Sequence, residues 1–98
     1  MPQVCSVELF QPHENSTFTI TFEDGTLDLN LDKVEISPNQ MEGYESFSLY
    51  FSNEGKICLP QATYSLEHPV MGKRDIFLVP IRENEKGFVY QAVFNVLA

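Results

Sequence analysis

The chain has 98 residues and carries 14 Asp and Glu against 6 Lys and Arg, a formal charge of −8. That excess argues against nucleic acid, whose recognition needs a basic surface to displace condensed counterions, and against anionic membrane surfaces. One domain spanning residues 1–98 is expected at this length. An apolar content of 43% with eight Phe and four Tyr separates it from disordered acidic segments.

In chain order, residues 1–12 lack the basic and apolar regions of a signal peptide. The longest strongly apolar run, Ile76 to Ile81, is far short of the roughly 20 residues that span a bilayer. A cytoplasmic protein is expected, with signal-independent export inside a larger assembly left open. Cys5 and Cys58 form no metal-binding spacing. Two reduced thiols packed as small apolar groups are expected rather than a disulfide.

Ser6 is a fair N-cap for one helical turn through Val7, Leu9 and Phe10, ending before Pro12. Phe18, Ile20 and Phe22 then alternate with threonines, a strand pattern that ends at Glu23-Asp24-Gly25, a hairpin turn. Leu27, Leu29 and Leu31 continue on the returning strand. The phase slips by one residue before Val34 and Ile36, which predicts a β-bulge near Asp32 or Lys33. After a loop to Ser46, Phe47, Leu49 and Phe51 alternate, and Ala62, Tyr64 and Leu66 follow. His68-Pro69-Val70-Met71-Gly72 turns the chain into two last strands, 75–81 and 88–97. Both are apolar on two faces, so something must cover the second face. The N-terminal turn and a partner protein are the two candidates. Pro80 marks an edge position or a bulge, because proline cannot donate to a ladder. An edge there would offer unpaired backbone groups to a partner.

Six evenly spaced strands with almost no helix predict an all-β domain. The form expected is a small antiparallel sandwich or partly open barrel in up-and-down order. Phe18, Phe22, Phe47, Phe51 and Phe94 are its expected core.

Chemistry-bearing motifs are sparse. Asp28-x-Asn30-x-Asp32 matches the start of an EF-hand loop, but Lys33 stands where that loop needs Gly, so a strand's polar face explains it better. Eight of the 14 acids lie between Glu23 and Glu54, with Lys33 the one base among them. His13 and His68, with Glu67, form a candidate polar cluster, though neither histidine has metal-ligand spacing. For His68, before Pro69 at a strand end, hydrogen bonding to the turn backbone is the simpler role. No nucleophile elbow or phosphate-binding loop occurs. No catalytic residue, metal or cofactor is therefore expected. Tyr44 and Tyr50, which combine apolar area with a polar tip, are candidate partner contacts. Phe77, Val79, Pro80, Val89 and Val93 on the last two strands join them.

Further segments carry a resemblance. They are Phe10-x-Pro12-His13, Phe22-Glu23-Asp24-Gly25, Phe47-Ser48-Leu49-x-Phe51, the run Leu59-Pro60-Gln61-Ala62-Thr63-Tyr64-Ser65-Leu66-Glu67-His68-Pro69-x-x-Gly72, then Phe77-Leu78-Val79-Pro80-Ile81 and Tyr90-Gln91-Ala92-Val93-Phe94-Asn95. Together, over roughly residues 7–95, the chain resembles a family of small bacterial single-domain proteins of unknown function. Where that family commonly has Gly after Pro-Gln, this chain has Ala62. The resemblance implies a stand-alone domain with no known cofactor or catalytic residues. It also implies gene neighbours similar to phage-tail collar or fibre subunits, hence an accessory role in a tail-like assembly.

The expected function is a non-enzymatic structural or interaction module that binds a protein partner or a second copy of itself. The alternatives are a small-ligand-binding barrel and a small hydrolase-like enzyme using His68 and Glu67.

Overall fold

Alternation between apolar and polar residues organises the whole chain into strands that close on themselves. The computed structural model describes residues 7–38, 42–55 and 57–97. A short helix, α1 (Val7–Phe10), runs into a 3₁₀ turn at Gln11–His13 that contains Pro12. Six strands follow: β1 (Thr17–Phe22), β2 (Gly25–Ile36), β3 (Tyr44–Glu54), β4 (Ala62–His68), β5 (Gly72–Glu83) and β6 (Gly87–Leu97). All pairings are antiparallel, and the sheet is a closed barrel in the order β1-β2-β3-β6-β5-β4.

This order corrects the expected up-and-down arrangement. The chain folds as two three-stranded meanders, β1-β2-β3 and β4-β5-β6. The connection 55–61 carries it from one to the other across the barrel end, so β3 pairs with β6 and β4 with β1. Closure leaves no strand wholly at an edge, which lessens the hazard that open edges pose.

The inner positions of every strand fill the barrel. Phe18, Ile20, Leu29, Leu31, Phe47, Leu49, Phe51, Leu66, Ile76, Leu78, Tyr90 and Ala92 are all buried. Phe18 meets Phe51 edge-on at 5.4 Å, and Phe47 stacks on the half-buried Phe94 at 4.9 Å. Such pairs are worth about 0.5–1.5 kcal/mol each beyond the area they bury. Each barrel end is plugged. At the end where β1 begins, Val7 and Phe10 of α1 join the core, with Phe10 against Phe47 and Phe94. At the other end Leu59 of the crossing is buried, and its N–H donates to Tyr90 Oη at 2.8 Å. The buried Asn53 fixes the same crossing, donating to Ile57 O and accepting from Phe88 N–H.

Both irregularities fall where a phase change requires them. The β2–β3 register shifts between Leu31 and Lys33, the bulge expected from the slipped alternation. A second shift lies between Pro80 and Arg82. Pro80 therefore sits beside a bulge, where a residue without an N–H is tolerated. β5 lies between β4 and β6 in the ring, yet each stretch of it pairs on one side alone, with β4 over 72–78 and with β6 from Val79 to Glu83, so Pro80 stands at a locally unpaired margin as well as beside a bulge.

Other expectations need correction. Phe22 is exposed, because it pairs with Gly25 at the hairpin tip, beyond the Thr19–Ile20 segment that β4 pairs with. The N-terminal turn caps the barrel interior and leaves the outer face of β5 and β6 alone. Cys58 is exposed rather than packed. Cys5, Ser6 and so the pairing of the two cysteines lie outside the described residues. Ala62 opens β4 without positive φ, so this chain needs no glycine there.

Candidate functional site

The candidate polar cluster divides. His13 and His68 come together, with ring centroids 4.6 Å apart, at the end of the barrel where α1 sits. Glu67 does not join them: it is exposed on β4, in register with Lys73, while His68 is buried. Ser16, which the sequence did not single out, takes its place. His68 Nε2 lies 3.0 Å from Ser16 Oγ, and Ser16 Oγ donates to the His13 carbonyl.

A serine hydroxyl on a histidine invites comparison with a nucleophile and its base. The other ring nitrogen decides the matter. Nδ1 of His68 accepts N–H groups from Val70 at 3.0 Å and Met71 at 3.3 Å. It therefore carries no proton, and Nε2–H donates to Ser16. A general base needs the opposite tautomer, with Nε2 free to take the serine proton. Burial and the neighbouring His13 hold the His68 pKa below its usual value, which keeps the ring neutral. The pair ties the β4–β5 turn to the segment before β1. Among the described residues no group of three or more His, Cys, Asp or Glu could hold a metal ion.

The outer face of the last two strands carries the interface candidates. Phe77 is 49% exposed and Val93 60%, and Val79 is half-buried where β5 and β6 still pair, opposite Gln91. Ser48, Thr63 and Gln91 border this patch through their pairing with Val93, Phe77 and Val79. Tyr44 is exposed at the start of β3. Tyr50 is half-buried, its hydroxyl accepting from Gln91 Nε2 at 3.1 Å. Val89 is not available. It is buried at the floor of a shallow hollow beside Lys33, Tyr50 and Arg82. Pro80 shares the inner register of Ile76 and Leu78 and is half-buried.

The acidic stripe lies opposite. In a ring of six, β2 faces away from β5. β2 carries Asp28, Asp32 and Glu35 against Lys33, and β5 carries Lys73, Arg74 and Arg82 against Asp75 and Glu83. β6 has no charged residue. On β2, Asp28 accepts from Thr19 Oγ1, Asp32 from Asn30 Nδ2, and Glu35 pairs with Lys33 at 2.8 Å. These are the contacts of a solvated strand face, as the spacing of Asp28, Asn30 and Asp32 implied.

One inward charge escaped the sequence reading. Arg74 pairs with the buried Leu66 and shares the inner register of Ile76 and Leu78. Its Nε is buried and has no hydrogen-bond partner among the described residues. A buried donor left unmade costs about 1–3 kcal/mol. Arg74 lines a hollow of about 420 Å³ with Phe10, Phe94, Ile76, Ser65, Lys73 and Asp75.

Fold and site thus define a small closed antiparallel barrel with plugged ends, an acidic pole and an exposed apolar patch on β5 and β6. The chain belongs to a family described as a domain of unknown function (DUF6916), whose profile matches residues 5–94. No curated protein matches it. Nor does any solved structure.

Proposed function

We propose that the domain is a non-enzymatic docking module. The outer face of β5 and β6 seats on an apolar patch of a partner protein, and the acidic pole favours a partner with basic character. The observation that carries this reading is the exposure of Phe77 and Val93 on the outer faces of two neighbouring strands that α1 leaves bare. The neutral border of Ser48, Thr63 and Gln91 resembles the polar rim of a recognition patch. The family resemblance suggests the form the module takes, an accessory or assembly component of a phage-tail-like particle.

Two features weigh against the other readings. The barrel interior is occupied by side chains in ring-to-ring contact, which leaves little room for an enclosed ligand. His68 holds the tautomer that a hydrolase could not use.

The test is copurification from the native source, followed by reconstitution with the identified partner. Phe77→Asp and Val93→Asp should each abolish the complex, and Asp28→Asn should leave its stoichiometry unchanged. Light scattering separates a hetero-complex from self-association. A strict monomer whose partner binding survives both aspartates would refute the proposal.

A further inference from the structure

The strands β5 and β6 part company at the end of the barrel capped by α1. Their pairing stops at Val79–Gln91. Beyond it, residues 72–78 pair with β4 alone and residues 92–97 with β3 alone. The hollow lined by Arg74, Phe10 and Phe94 lies at this parting. Its volume of about 420 Å³ falls within the range of small-molecule sites, about 300–1,000 Å³.

We propose that this hollow is a binding site for a carboxylate carried on an apolar body. The argument starts from the guanidinium. Arginine presents a planar fork of N–H donors that matches a carboxylate's two oxygens, and it has no acceptor of its own. Here Nε is buried and has no hydrogen-bond partner among the described residues. The chain holds 14 acidic residues, yet none is bonded to that nitrogen. Asp75 and Lys73 share the outer register of β5 and both reach the rim, so one offsets the other and the Arg74 guanidinium is the group left to receive an anion. The unmet donor calls for an acceptor, and the surrounding residues specify what carries it. The half-buried Phe94, backed by the buried Phe10 and Ile76, supplies an apolar wall, and Lys73 stands at the rim beside Asp75. Three of the eight strand acids lie on β2, across the barrel, and β6, which supplies Phe94, is uncharged. This site does not depend on the docking reading.

The test is an NMR titration of the isotope-labelled full chain, reading the Arg74 Nε–Hε resonance directly. Phenylacetate is the probe, with acetate and benzyl alcohol as half-probes. The expected result is a saturable shift at Arg74 Nε–Hε and at the amides of Ile76 and Phe94 with phenylacetate, and weaker effects with either half. Arg74→Lys keeps the charge and loses the fork, and should bind about tenfold more weakly or worse. Arg74→Met should abolish binding, its spectrum reporting that the barrel is intact. N-acetyl-alanyl-phenylalanine and its amide distinguish the source. Tighter binding of the peptide acid with an inert amide assigns the site to a chain terminus, and preference for phenylacetate assigns it to a free small acid. Absence of a shift at tens of millimolar, or equal binding by wild type and both variants, overturns the proposal.

Discussion

Two backbone N–H groups of the β4–β5 turn point at Nδ1 of His68, and that contact sets its chemistry. The folded ring resists protonation through burial and the adjacent His13, whereas an unfolded histidine titrates near 6.5. Below about pH 6.5 the unfolded chain therefore binds a proton that the folded chain refuses, and stability falls as pH drops. Urea unfolding at pH 7 and at pH 5.5 should show that loss. His68→Ala should cost about 2 kcal/mol at pH 7 and flatten the acid slope. An unchanged slope would place the loss on other groups. The turn role of His68 was legible, because a histidine before proline at a strand end has backbone donors within reach. Ser16 was not, since its contact with His68 spans 52 positions. Arg74 was hidden for another reason. The run Ile76-Phe77-Leu78-Val79 is apolar at every position and so gives no phase, although the phase that Leu66 and Ile76 share puts Arg74 inside.

Strands and their interruptions were the most legible level. The slip between Leu31 and Val34 marked one bulge and Pro80 the other, because side-chain alternation has a strict period of two and any extra residue shows. Hairpin geometry gives a sharper test. The three-residue turn Pro69–Met71 ends at Gly72, whose φ of 75° is left-handed. A Cβ there would meet open space, so Gly72→Ala should cost only the backbone penalty, about 1–2 kcal/mol. Gly87, which opens β6, differs. A Cβ there would lie 2.0 Å from the Asn53 carbonyl oxygen. Gly87→Ala should therefore cost about 3 kcal/mol and loosen the Asn53 contacts with Ile57 and Phe88. Chemical denaturation of the two variants orders them, and a smaller loss at Gly87 than at Gly72 would contradict this geometry.

At the scale of the whole molecule, strand order was the part the sequence concealed. Local turns specify β1-β2-β3 and β4-β5-β6, but nothing local says which strands meet when the two sheets close. That outcome follows from burial. Each meander has one apolar face, and a barrel buries both while leaving no strand wholly at an edge. The two seams are unequal. β3 pairs with β6 along its whole length, Tyr44 to Glu54, whereas β1 and β4 meet at Thr19–Glu67 and Ile20–Leu66 alone. The crossing is the backbone link between the halves, and Ile57 and Cys58 on it are exposed. Fragment complementation follows. Residues 1–57 and 58–98, expressed apart, should each lack the barrel's tertiary signature and regain it on mixing, with the midpoint set by concentration. Near-ultraviolet circular dichroism of the mixture reads this out, and a mixture that stays featureless would mean the peptide link is itself essential. The chain is, on this account, a heterodimer of two small sheets joined by a tether.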